Sequence, residues 1–252
     1  MARTALILGA GIGGIVAAET LRKLLPPEHR VVVVEREHNH VFAPSLLWRM
    51  TGANDSASFT RPLSALSSKG VELVTGELTR IDPATLSVEV DGQTLTGDTL
   101  IVALGADYAP ELVAGLASAG HNLYTLAGAQ SIHGPLEAFE RGRIVVLTAA
   151  PAYKCPAEPY EAAMLIDAYC KQRRLRKSTT ITVYAAEPMP MPVAGPVVGG
   201  QIKMLLEKKG IAYFPGYQVS KVEAGQLHFA DGTTAAFDLL LYVPPHRVPA
   251  VV

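Results

Sequence analysis

The stretch Ala5-Leu6-Ile7-Leu8-Gly9-Ala10-Gly11-Ile12-Gly13-Gly14 restricts this 252-residue chain more than any other. A short apolar run leads into glycines with the spacing G-x-G-x-x-G. A helix is predicted next, from about Gly13 to Leu25, where Pro26-Pro27 stops it. Val31-Val32-Val33-Val34-Glu35 then reads as a second strand, of the parallel type that is apolar on both faces. Each glycine has a physical task in such a unit. Gly9 permits the tight turn, Gly11 lets a pyrophosphate approach the backbone, and Gly14 lets the helix pack close on the strand. The helix N-terminus faces the phosphates. Glu35 ends the second strand, where an acid accepts hydrogen bonds from a ribose hydroxyl. Together these features predict a dinucleotide-binding βαβ unit; the alternative is a structural turn with a surface glutamate.

From Val71 to Ala103 the pattern changes to short alternating stretches, VELVTGELTRI, LSVEV and TLIVALG, separated by Asp82-Pro83, Asp91-Gly92 and Gly97-Asp98. This is the pattern of a small antiparallel meander followed by a return strand. A simple NAD dehydrogenase does not usually interrupt its fold this way, so FAD is the expected cofactor. Leu78, Ala103 and Gly105 are expected to join Gly9, Gly11, Gly13, Gly14 and Glu35 in binding it. Residues 106–142 read as a polar, Gly-rich connection. The plan then repeats: a strand at 143–148, a helix at 159–172, the strand ITVYAAE at 181–187, a helix near 199–209 with Gly199-Gly200 at its start, and a second meander.

The expected fold class is therefore α/β, with two Rossmann-like βαβ units, each carrying a β-meander insertion. This is the layout of a two-dinucleotide-binding-domain flavoprotein, incomplete at the C-terminus. The expected domains are an FAD-binding domain at 1–107 and, at 108–252, a second Rossmann-like domain that holds the connecting segment and a redox cysteine.

The second unit departs from the first at its turn, which reads Ala150-Pro151-Ala152-Tyr153-Lys154-Cys155-Pro156 in place of phosphate-binding glycines. Nicotinamide binding there is disfavoured. Cys155 stands just ahead of a helix and next to Lys154, so the helix dipole and the lysine are both expected to favour its thiolate. The bland reading is a buried free cysteine, the reading assigned to Cys170 further along the helix.

Charge and composition exclude several classes. Lys and Arg total 22 against 23 Asp and Glu, a formal charge of −1, so no nucleic-acid partner is expected. No apolar run reaches the ~18 residues of a membrane span, and the chain enters a strand at once. A cytoplasmic setting without a leader peptide is expected, with membrane association peripheral at most. Two cysteines make no disulfide framework, and no metal site is expected.

KCPAEPYEAA at 154–163, with GAGIGG at 9–14, GADYAP at 105–110 and YVPPHR at 242–247, resembles the sulfide:quinone oxidoreductase and flavocytochrome c sulfide dehydrogenase flavoprotein group. The resemblance covers nearly the whole chain, and the cysteine segment is its most specific part. It implies FAD in the first unit, Cys155 as a sulfur-carrying cysteine and Glu161, six residues on, as a proton-handling group, with Lys154 beside them. It also implies sulfide or a small sulfur compound as substrate and a quinone or cytochrome as acceptor. Covalent FAD is not expected, because HVFAPSLLW lacks the attaching cysteine. Members of this group continue past PPHRVPAVV, so a shortened chain with an open apolar surface and self-association is expected. Two alternatives stay open: an NAD(P)H-dependent flavin oxidoreductase, of NADH:quinone or disulfide reductase type, and a non-catalytic FAD-binding module.

Overall fold

In a computed structural model, which describes all 252 residues, the chain divides into two units. The first comprises residues 1–41, 59–107 and 247–252; the second comprises 42–58 and 108–246. The division expected at 107/108 therefore differs in two places, since residues 42–58 fold with the second unit and the last six with the first.

In the first unit, β1 (Thr4–Leu8), α1 (Ile12–Leu24) and β2 (Arg30–Glu35) form the βαβ core. A hairpin of β3 (Asn39–Val41) and β4 (Thr60–Pro62) precedes β5 (Glu72–Thr75). The meander is β6 (Leu78–Asp82), β7 (Ser87–Val90) and β8 (Gln93–Thr96), and β9 (Thr99–Val102) returns. The parallel sheet has the order β5-β2-β1-β9. The uninterrupted apolar strands follow from burial on both faces. Ile7, Val31 and Val33 pack with Ala18 of α1, whereas Leu6, Leu8, Val32 and Val34 pack with Val88 and Val90 of the meander.

The second unit repeats this plan. The short helix α2 (Leu46–Met50) belongs to it, and after the two-residue strand β10 (Asp107–Tyr108) come α3 (Leu116–Ala119), β11 (His121–Asn122) and α4 (Leu126–Ala138). Then follow β12 (Gly142–Thr148), α5 (Glu158–Gln172), β13 (Thr179–Ala185), α6 (Gly195–Lys208) and β14 (Ala212–Pro215). The meander is β15 (Val219–Glu223), β16 (Gln226–Phe229) and β17 (Thr234–Ala236), with β18 (Leu239–Val243) returning. The sheet order is β11-β18-β12-β13-β14, parallel throughout. Ile144 and Val146 face the helices, and Val145 and Leu147 face Val222, Leu227 and Phe229 of the meander.

Two sequence expectations change here. The connection at 106–142 contains α4, a 13-residue helix that buries Ala129, Ile132 and Leu136 along one face. Thr125 caps it, its hydroxyl accepting from the Gly128 N–H at 3.0 Å. Gly128 is needed because a Cβ there would stand 1.9 Å from the Asn122 carbonyl oxygen. Gly199-Gly200 lies inside α6 and not at its start; a Cβ on Gly199 would come within 2.6 Å of the Pro190 carbonyl oxygen, so the glycine admits the EPMPMP loop. At the far end of α5, the buried Asp167 carboxylate accepts from Arg176 at 2.6 Å and Lys171 at 2.7 Å. Burial raises its pKa, but these two cations outweigh it and hold the carboxyl below its ordinary value.

Candidate active site

In the first unit the glycines divide into two kinds. Gly9 has φ +95°, and a Cβ there would lie 2.6 Å from the Ala103 carbonyl oxygen; at Gly14 it would lie 1.8 Å from the Gly9 carbonyl oxygen. These two make the fold. Gly11 and Gly13 instead have nothing within 4 Å of a built Cβ and face open space. The N-terminus of α1 has no capping side chain and no acid in its first turn. Its N–H groups are thus available to an anion, and a pyrophosphate can reach the backbone at Gly11. Glu35 stands at the loop: Oε2 accepts from the Ala10 N–H at 2.7 Å, and Oε1 accepts from Arg36 at 2.9 Å and Glu37 at 3.1 Å. His40 Nδ1 meets the Ala10 carbonyl at 3.1 Å. Gly105, with φ +71°, is also open, whereas Leu78 packs into the apolar cluster beneath the meander. The residues present fit the pyrophosphate and ribose of FAD.

In the second unit, Cys155 is exposed in the turn ahead of α5 and has φ +53°, the left-handed region that costs a side-chain-bearing residue roughly 1–2 kcal/mol. Its carbonyl accepts from the Glu158 N–H at 3.0 Å and from the Tyr124 hydroxyl at 3.1 Å. The same hydroxyl also donates to the Lys154 carbonyl. Tyr124 in turn lies edge-on to His246, with ring centroids 5.3 Å apart, and both rings contact Tyr108. The Lys154 ammonium sits 4.8 Å from the Tyr108 ring centroid. These contacts hold the turn in its strained form.

The charge balance differs from the sequence expectation. Partial burial, and then the Glu158 carboxyl, push the Cys155 thiol above its ordinary value, so the resting form is the thiol and not a thiolate. Glu161 is exposed in the first turn of α5. The acid beside the cysteine is Glu158, at the first position of α5. It is only 8% exposed, and its Oε1 has no hydrogen-bond partner. Burial raises its pKa to about 8. The sequence alone does not single out Glu158, although Pro156 and Pro159 fix where α5 begins and so which glutamate is turned inward. Cys170 is buried in the core of the unit, where burial raises its thiol too.

A third feature, just past the end of β13, is Glu187, 1% exposed. It occupies the place that Glu35 holds in the first unit. Its carboxylate accepts from the hydroxyls of Thr148, Tyr153 and Tyr160. Burial and Glu187 raise the pKa of Tyr153, and burial raises that of Tyr160, so both stay protonated as donors. The parallel between VVVVE and ITVYAAE was the signal that could have found it.

Comparisons with known proteins bear on both units. The family described as pyridine nucleotide-disulphide oxidoreductase matches residues 3–243. The chain is 24% identical over 274 residues to the sulfide-quinone reductase of Aquifex aeolicus, covering 100% of this chain and 60% of that protein. It is 26% identical over 186 residues to the mitochondrial sulfide:quinone oxidoreductase of Mus musculus, covering 70% and 40%. Among solved structures, the sulfide:quinone oxidoreductase of Aquifex aeolicus superposes with a TM-score of 0.88 at 21% identity, over 99% of this chain and 60% of that one. The NDH2 of Plasmodium falciparum in complex with NADH superposes at 0.74 with 14% identity, over 100% and 56%. The chain thus spans about 60% of the length of the first of these relatives. No helix is long and apolar enough to cross a membrane.

Proposed function

We propose, from the premise that this chain belongs to the pyridine nucleotide-disulphide oxidoreductase family, that it is an FAD-dependent oxidoreductase of the sulfide-oxidising type. Electrons from sulfide or a related sulfur compound pass through Cys155 and the flavin to a quinone or another acceptor. Gly9, Gly11, Gly13, Gly14 and Glu35 hold the FAD, with Ala103, Gly105 and Leu78 around it. FAD, when bound, accepts an electron pair released on sulfur oxidation and gives it up to the acceptor. Cys155 binds the substrate sulfur, while Tyr124 fixes the turn that presents it. Lys154 and Glu161 are the exposed charges beside it.

The observation that carries this reading is the exposed thiol in the turn of the second unit, where a phosphate-binding loop would otherwise stand. The names of the relatives agree with it, since two of them are sulfide:quinone enzymes. The test is an anaerobic titration of the purified, flavin-loaded protein followed by visible absorption. Sulfide is expected to bleach the flavin, and Cys155→Ser to abolish the response while the FAD stays bound. A Cys155→Ser protein with the full sulfide response would remove Cys155 from the path.

A further inference from the structure

A thiol whose pKa is raised is a poor leaving group, because the departing sulfur holds its negative charge badly. Whenever a sulfur compound attached to Cys155 is released by attack on its outer sulfur, Cys155 has to leave as the thiolate. Burial works against that charge, and so would an ionised Glu158. The turn therefore needs a proton at the Cys155 sulfur at the moment the bond breaks.

We propose that Glu158 supplies this proton: its carboxyl is the general acid that protonates the Cys155 sulfur as it is released from a disulfide or persulfide. The role rests on the reading of Cys155 as the sulfur-carrying residue. Three observations carry it. Glu158 is at the first position of α5, three residues from Cys155, and its own N–H is bonded to the Cys155 carbonyl at 3.0 Å, which ties the two residues together. Glu158 is only 8% exposed, its Oε1 has no hydrogen-bond partner, and the Cys155 thiol and the Tyr124 hydroxyl are the neighbouring groups that lower its pKa against burial. Tyr124 donates its hydroxyl proton to the carbonyls of Lys154 and Cys155, which fixes the turn over the carboxyl. A buried neutral carboxyl three residues from a sulfur, with an oxygen free of any partner, is a proton donor in place.

The groups around it support the protonated form. Burial raises the pKa of Glu158 by more than Cys155, Tyr124 and Lys154 lower it, and Glu161 adds a like charge that raises it further. Of the rings near Tyr124, burial raises the pKa of Tyr153 and lowers that of His246, so neither adds a negative charge near neutrality. Atoms and electrons balance in the step. Hydrosulfide attacks the outer sulfur of Cys155–S–S–R and a new S–S bond forms to give R–S–SH. The Cys155–sulfur bond breaks, its electron pair stays on Cys155, and the proton of Glu158 moves to that sulfur. Glu158 is left as carboxylate and is reprotonated by solvent. No external oxidant enters.

The test uses the full chain with Cys155 converted to its methylthio mixed disulfide. The return of free Cys155 under excess hydrosulfide is followed by peptide mass spectrometry, corrected for the ionisation of hydrosulfide. In the wild type the rate is expected to hold below about pH 8 and then fall, about tenfold per pH unit. Glu158→Gln should be slower by about 10²-fold below that point, flat with pH, and met by the wild type at high pH. Glu158→Asp, which keeps the acid, should retain the fall. A wild-type rate with no fall above pH 8 overturns the proposal whether or not the Gln variant folds. So does a profile flattened by Glu161→Gln and unchanged by Glu158→Gln. The assay needs neither FAD nor an acceptor, so the sulfide reading can fail in the flavin titration while this pH dependence stands, and the reverse.

Discussion

A carboxyl whose burial outweighs the pull of a nearby cation keeps its proton until the solution is basic enough to force it off, and Glu158 does so up to about pH 8. The consequence for stability has a definite sign. The pKa is raised above its unfolded value of ~4.3, so the folded state binds the extra proton. Stability is full below the unfolded value and is lost as pH rises toward the folded one. Over that window the loss is at most about 5 kcal/mol, since each tenfold difference in proton affinity is worth about 1.4 kcal/mol. Glu158→Gln has no proton to lose there. Urea unfolding at about pH 5 and about pH 8 is expected to show the wild type weakening with pH and the variant holding its midpoint. Equal losses in both proteins would mean that the carboxyl is better solvated than its burial implies. Sequence could mark Cys155, because a thiol in place of glycines is a local pattern. It could not mark Glu158 over Glu161, because that choice depends on which helix position faces inward once Pro156 and Pro159 have set the start of α5.

Among the elements, the strand–loop–helix of the first unit was the most legible part of the chain, since its glycine spacing meets local demands, two of them steric. Gly9 and Gly14 are held by backbone atoms, while Gly11 is held by nothing in the protein and faces open space. That contrast predicts two different failures. Gly14→Val drives a side chain into the Gly9 carbonyl, so the protein should unfold or fail to accumulate. Gly11→Val should fold with a wild-type circular dichroism spectrum and unfolding midpoint, yet purify without flavin, because the branched side chain takes the place of the pyrophosphate. A Gly11→Val protein that keeps stoichiometric flavin would mean that the cofactor lies elsewhere. The helix α4 was the least legible element. Gly128, Gly134 and Pro135 give its sequence the composition of a loop, and only Ala129, Ile132 and Leu136 carry the helical period. Gly128 is there because of the Asn122 carbonyl, a contact that only the folded chain creates.

At the scale of the whole molecule, one plan is used twice, with helices on one face of each parallel sheet and a meander on the other. The repetition was readable because VELVTGELTRI and YQVSKVEAGQLHF follow the same alternation of apolar and polar residues. What distinguishes the two copies is how each treats its strand-end acid. Glu35 is half-buried and bonded by backbone N–H groups beside an open glycine loop. Glu187 is sealed, with Thr148, Tyr153 and Tyr160 donating to it, and the turn before α5 has no glycine at all. For a nicotinamide nucleotide to use Glu187, its ribose would have to displace three protein hydroxyls from a carboxylate already out of water. Each exchange gains nothing and leaves a buried hydroxyl unpaired, at about 1–3 kcal/mol apiece. NADH and NADPH are therefore expected to leave the flavin oxidised under conditions in which sulfide bleaches it, and Tyr153→Phe should not open the site, because Thr148 and Tyr160 still hold Glu187. Stopped-flow absorption checks this. Rapid, saturable bleaching by micromolar NADH would show that the second unit takes a nucleotide by a route independent of Glu187, and the chain would then be read as an NADH-dependent flavin reductase.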